Sequence, residues 1–226
     1  MTDVLTSTAS DICNDAAAIA GVADIQEGLD ATSLAKCRRA LNMLLKSKQV
    51  KEFLWKLSDV TVTLTPGTQS YLVGPGGAGA LSRVRPLRLS YCVRRTDDID
   101  IEVPIISRQE YQLMPQKTQQ GPVVNVYYDP QLNDGVLNVW YTGDTSNDTI
   151  ICTFADPVDL FDTNSDTPDF PDEWIEIITY LLAARLCALF QLQIPQSVSA
   201  VVSDIYEKIE NFDTDPGSIQ FMPRSR

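Results

Sequence analysis

The 226-residue sequence contains no histidine. That absence removes Ser-His-Asp and Cys-His catalysis, imidazole metal sites and the commonest general base. Cationic residues are few, 18 Lys and Arg against 30 Asp and Glu, for a formal net charge of −12. A chain this acidic is repelled by phosphate backbones and is not expected to coat nucleic acid. The five cysteines, Cys13, Cys37, Cys92, Cys152 and Cys187, are scattered and never fall in a C-x-x-C spacing. They read as buried thiols in a reducing compartment, not as a disulfide frame or a zinc site. Met1-Thr2-Asp3-Val4 has neither a basic region nor an apolar core, so no secretory signal is expected and a cytoplasmic origin is. P-loop, dinucleotide and nucleophile-elbow motifs are absent from the sequence. The expectation is therefore no enzyme, no cofactor and no metal.

What the chain does have is 44% hydrophobic content, enough for a core. Its most apolar stretch runs from Phe170 to Phe190. Pro171, Asp172 and Glu173 mark a helix start, because a first-turn residue needs no N–H and carboxylates suit the positive end of the helix dipole. Beyond Glu176 the stretch carries one charge, Arg185. Apolar side chains go nearly all the way round, so the helix is expected to be surrounded by protein. Trp174, Ile178, Leu182, Leu186 and Phe190 are its central positions. A membrane span is rejected: with Glu176, Arg185 and Gln191 in place, fewer than ~18 clean apolar residues remain.

Helices are also expected before and after this stretch. Thr6 or Ser7 caps one that runs to about Ala20, with Ile12, Ala16 and Ile19 apolar and Gly21 as its stop. A second starts at Asp30, with Leu34, Cys37, Leu41, Leu44 and Leu45 on one face. Lys36, Arg38, Arg39, Lys46 and Lys48 line the rest, as a solvated face or a contact for an acidic neighbour. After Pro195 a last helix starts near Ser197, with the seam Val198, Val202, Ile205, Ile209 and Phe212.

Between the helices the period changes to two. Strands are expected at Val60–Leu64, Ser70–Val73, Leu87–Val93 (Leu87, Leu89, Tyr91 and Val93 inward), Ile99–Ile105, Val123–Tyr128, Val136–Tyr141 and Thr149–Phe154. The capping box Ser107-Arg108-Gln109-Glu110 opens a short helix towards Met114. The glycine-rich segment from Gly74 to Ala80 reads as a mobile loop tip. The fold class is thus α+β: a helical bundle with an inserted, mostly antiparallel β domain and an extended C-terminal tail. The segments are 1–58 for the N-terminal helices, 59–156 for the β domain, 157–213 for the acidic loop and C-terminal helices, and 214–226 for the tail.

Three constellations bear on chemistry. Asp162, Asn164, Asp166 and Glu173 match the first, third, fifth and twelfth positions of a calcium loop. Thr167 replaces the required glycine and two prolines stiffen the segment, so it reads as a solvated acidic loop whose last acids cap the helix. Asp97, Asp98, Glu110 and Asp144 are carboxylates a glycosidase would need in pairs, but nothing in the sequence pairs them. Tyr127, Tyr128, Trp140 and Tyr141 form either an aromatic platform or core.

The order of these parts is similar to a known family. Two helices, a β insertion, a buried helix announced by Phe170-Pro171-Asp172-Glu173-Trp174, a final helix and a tail resemble the head-to-tail adaptor (connector, or packaged-DNA-stabilisation) proteins of short-tailed bacteriophages. Supporting local text includes Arg85-Pro86-Leu87-Arg88, Ile106-Ser107-Arg108-Gln109-Glu110-Tyr111, Gly121-Pro122-Val123, Tyr127-Tyr128-Asp129-Pro130 and Leu137-Asn138-Val139-Trp140. The similarity spans most of residues 5–212. It implies a structural virion protein of the neck, assembled in the host cytoplasm, forming a ring of about twelve copies. Portal, tail nozzle and tail fibres are the implied partners, and DNA passes through the channel without specific binding. Ile219, Phe221, Met222, Pro223, Arg224 and Arg226 are the implied portal-docking tail. Arg185 is expected in an ion pair with a neighbouring helix or at the edge facing the next subunit. The alternative reading is a cell-wall glycan hydrolase or glycan-binding tail component using carboxylates and aromatics of the β region.

Overall fold

The first helix forms where its N-terminal amide groups find acceptors. Thr8 accepts from the Asp11 amide, while the Asp11 carboxylate accepts from the Thr8 amide at 2.8 Å, a reciprocal capping box. The cap is therefore Thr8, not Thr6 or Ser7, because only Thr8 has its acidic partner three residues on. This helix, α1, spans Ala9–Ile19 and buries Ile12, Cys13, Ala16 and Ala17. Gly21 follows it in the left-handed region at φ 71°. The computed structural model describes residues 7–23, 28–50, 56–96, 99–144 and 149–212; within these, the side chains of residues 50, 173, 206 and 208–212 are left undescribed.

The fold is of the α+β class, and its contacts divide it into two units, Met1–Phe53 with Asp159–Arg226, and Leu54–Val158. In the first unit α2 spans Ala31–Val50, and Asp30 starts it by accepting from the Ser33 amide at 2.6 Å. Cys37, Leu41, Leu44 and Leu45 are buried on one face, as the spacing requires. Helix α4 (Glu173–Leu189) follows the acidic loop, and α5 covers Gln196–Phe212. Helix α4 packs against α1, α2 and α5, which makes it the hub of this unit. Its end has Schellman geometry: Gln191 is left-handed at φ 58°, and the Leu192 amide donates to the Cys187 carbonyl at 2.8 Å.

The second unit is two antiparallel sheets around one core. Strands β1 (Lys56–Thr63), β3 (Arg88–Thr96), β4 (Ile99–Glu102) and β7 (Thr149–Asp156) form one sheet in the order β1-β7-β3-β4. Strands β2 (Ser70–Val73), β5 (Asn125–Pro130) and β6 (Gly135–Trp140) form the other in the order β2-β6-β5. Helix α3 (Arg108–Leu113) lies between β4 and β5 in the chain, and its Ser107–Glu110 capping box is formed in both directions. Val60, Val62, Cys92, Ile150 and Phe154 from one sheet meet Val73, Val126, Tyr128, Leu137 and Val139 from the other.

Two expectations from alternation and one from glycine content fail for local reasons. A bulge between Leu89 and Tyr91 shifts the register of β3, so that Leu89 and Cys92 face inward while Tyr91 is exposed. Strand β4 is exposed along all four residues, because it is an edge strand extending beyond the core. The glycine-rich segment is folded: a 3-10 turn at Gly79–Leu81 buries Leu81, and the Asp134 carboxylate accepts from the Gly76 amide at 2.7 Å.

Candidate functional site

Helix α4 brings together the expected central residues. Ile178, Leu182 and Leu186 are fully buried, whereas Trp174 and Phe190 are half-buried at its two ends. The apolar coat is not complete. Ala184 and Arg185 are half-buried and Ala188 is exposed, and this strip forms one wall of an open cleft of about 360 Å³. Leu44 on α2, Leu181 and Ala188 on α4 and Val202 on α5 supply its apolar walls. Ser47, Lys48 and Arg185 supply its polar atoms.

Arg185 does not make the carboxylate pair expected of it within the described residues. Its guanidinium donates to Ser47 Oγ at 2.9 Å, and its half-buried position lets the rest of the fork stay at the cleft surface. A hydroxyl is enough here because the group keeps solvent access, so the penalty of a fully buried charge does not arise. Lys48 also departs from expectation. It lines the cleft at 4% exposure instead of joining Lys36 and Arg39 on the solvated face. The sequence signal for this was the i, i+3, i+4 spacing of Leu44, Ser47 and Lys48, which puts all three on one helical face.

The acidic loop is the second organised feature of this unit. The Asp166 carboxylate accepts from the amides of Asp162 and Thr163, both at 2.7 Å, and from the Thr163 hydroxyl. These bonds, the Thr163 hydroxyl first, hold its carboxyl below the usual range. Asp166 is thus used as a turn-former, and no group of three His, Cys, Asp or Glu able to hold a metal occurs among the described residues. The loop carbonyls of Asn164 and Asp166 accept from the Ser10 and Ala9 amides at 2.9 Å, satisfying free donors at the start of α1. Asn42 of α2 clamps the other end: Nδ2 donates to the Phe161 carbonyl at 2.9 Å and Oδ1 accepts from the Phe161 amide at 3.1 Å. The sequence reading missed Asn42; its only signal was an amide next to Leu41 of the apolar face.

In the β unit the four aromatics separate. Tyr128 is core, with its hydroxyl donating to the Pro86 carbonyl at 2.9 Å and its ring edge-on to Phe154. Burial pushes its phenol up to about 12. Tyr127 stacks with Tyr111 at 5.7 Å, and Trp140 with Tyr141 at 4.2 Å, all on or beside the three-stranded sheet. Trp140 Nε1 donates to the Pro115 carbonyl at 3.0 Å, so its polar edge is already taken. Of the candidate carboxylates, Glu110 serves the α3 cap, Asp144 is exposed, and Asp97 and Asp98 lie outside the described residues. The tail residues Ile219, Phe221, Met222, Pro223, Arg224 and Arg226 lie outside them too, as do the side chains of Glu173, Ile209 and Phe212.

No family model and no curated protein matches the chain. No helix among the described residues is long and apolar enough to cross a membrane.

Proposed function

We propose that this protein is a structural virion component, a head-to-tail adaptor that closes into a ring of about twelve copies between portal and tail nozzle. The observation that carries this reading is the cleft beside α4: apolar walls from α2, α4 and α5 with the Arg185 cation of the hub helix among them, open to a protein partner. The order of parts also supports it, helices and acidic loop enclosing a β unit in the chain. In this reading the tail from Ile219 to Arg226 docks into portal grooves and the β unit offers attachment to nozzle and fibres. The surplus of acids gives a channel wall that repels phosphates, so packaged DNA is retained by the assembly and slides without adhering.

The test is native mass measurement of the protein alone and mixed with its portal. A monomer that becomes a ring on the portal is the expected result. A protein lacking residues 219–226 should lose portal affinity; full affinity would remove the docking-tail assignment. Lysis of purified peptidoglycan, lost on substitution of Glu110 or Asp144, would overturn the adaptor reading in favour of a cell-wall hydrolase.

A further inference from the structure

We propose that the acidic loop of one copy plugs the α2–α4–α5 cleft of a second copy, with Leu160 as the plug and Asp159 and Asp162 as its charged collar. The proposal rests on the ring reading above and names the contact that would build the ring. Leu160 is 37% exposed, and the acids on either side of it, Asp159 and Asp162, are exposed. The loop is prearranged to present them. Next to Leu160, Phe161 is buried against Phe170 with ring centroids 6.5 Å apart, and both its backbone polar groups are held by Asn42. The Asp166 turn and the α1 amides fix the rest. A segment already ordered loses little freedom on docking.

The socket has the complementary chemistry. Leu44, Leu181, Ala184 and Val202 are apolar, while the half-buried Arg185 brings positive charge to the cleft in a protein of net charge −12. At about 360 Å³ the cleft has room for a branched side chain and a flanking carboxylate. Plug and socket cannot meet within one molecule. At about 100° per residue, Ser47, Leu44 and Lys48 lie about 140°, 200° and 240° round α2 from Asn42, so the loop is clamped to the face opposite the cleft. Different surfaces on opposite sides make a head-to-tail contact, which generates rings or filaments instead of symmetric dimers.

Cysteine trapping tests this on the full chain. The five native cysteines are all buried, which keeps the background low. The double variant L160C/A184C, oxidised with diamide at a protein concentration high enough to populate the weak contact that isolated monomers make only transiently, should give a ladder of cross-linked multimers. A mixture of the two single variants should stop at dimers. Adding Arg185→Glu should lower the yield about tenfold or more, as expected for reversing one charge at a docked pair, and adding Asp159→Lys and Asp162→Lys to that variant should restore it. A double variant that cross-links no more than either single variant overturns the proposal. If that happens while the portal-bound ring still forms, the plug is wrong and the adaptor reading stands. A ladder from a protein that ignores portal would have the opposite meaning.

Discussion

Single residues carry much of the local order. Tyr128 is the clearest case, because its ring is in the core and its hydroxyl has one acceptor, the Pro86 carbonyl. Burial raises its folded pKa from 10.0 to about 12, so the folded state keeps a proton that the unfolded chain releases. The stability linked to that proton is fully present below pH 10 and is lost as pH rises towards 12. Tyr128→Phe should therefore cost about 0.5–1.5 kcal/mol at neutral pH yet flatten the alkaline loss, which urea titrations at pH 7 and pH 11 would reveal. Gly77 matters for space, not mobility. A Cβ there would press on the Leu81 carbonyl oxygen and lie 2.8 Å from that of Leu72. Backbone on both sides leaves no side chain to move aside, so Gly77→Ala should cost about 2–4 kcal/mol in a denaturant melt.

At the scale of elements, patterns of burial were legible where a strand or helix packs on one face for its whole length. Val60 and Val62 in β1 and the Leu41, Leu44, Leu45 face of α2 followed their periods directly. Strand β3 did not, because its bulge is set by pairing with β7, and no residue type in Leu89-Ser90-Tyr91 announces it. The consequence is measurable. Tyr91→Asp should change stability by about 0.5 kcal/mol or less. Cys92→Asp buries an unpaired charge and should cost about 4 kcal/mol or more, or prevent folding. Equal losses at the two positions would contradict the bulged register. Strand β4 was legible as a strand but not as an edge, since Ile99 and Ile101 alternate as core residues do while standing 63% and 46% exposed. The capping boxes show the same limit: Ser107 is readable from Glu110, whereas Thr6, Ser7 and Thr8 all offer a capping hydroxyl and the fold selects Thr8 with Asp11.

For the whole molecule, the pairing of β1 with β7 brings the ends of the β unit together, with Lys56 opposite Asp156. A segment whose ends are neighbours and whose core is its own can be excised without breaking its sheets. Residues 54–158 expressed alone should fold cooperatively, with β-rich circular dichroism and a dispersed NMR spectrum; a collapsed, unstructured product would show that the unit depends on its flanking helices. The candidate cleft belongs entirely to the other unit, and it was only partly legible. Arg185 stood out as the one charge in an apolar helix. Its partner Ser47 lies 138 residues away in sequence and Lys48 adjoins it, so neither could be joined to Arg185 by any local pattern.

The sequence by itself determined the α+β class, the places where helices and strands form, and the absence of any histidine-based chemistry. These follow from period, capping chemistry and composition, all of which act over a few residues. Only the tertiary structure decided that the glycine-rich segment is pinned, that Asp166 closes a turn, and that Lys48 leaves the solvated face for a cleft. It also decided that α4, though apolar nearly all round, keeps one open strip at Ala184, Arg185 and Ala188. Those outcomes depend on which distant segment arrives alongside, and burial and hydrogen-bond satisfaction settle that across the whole chain at once.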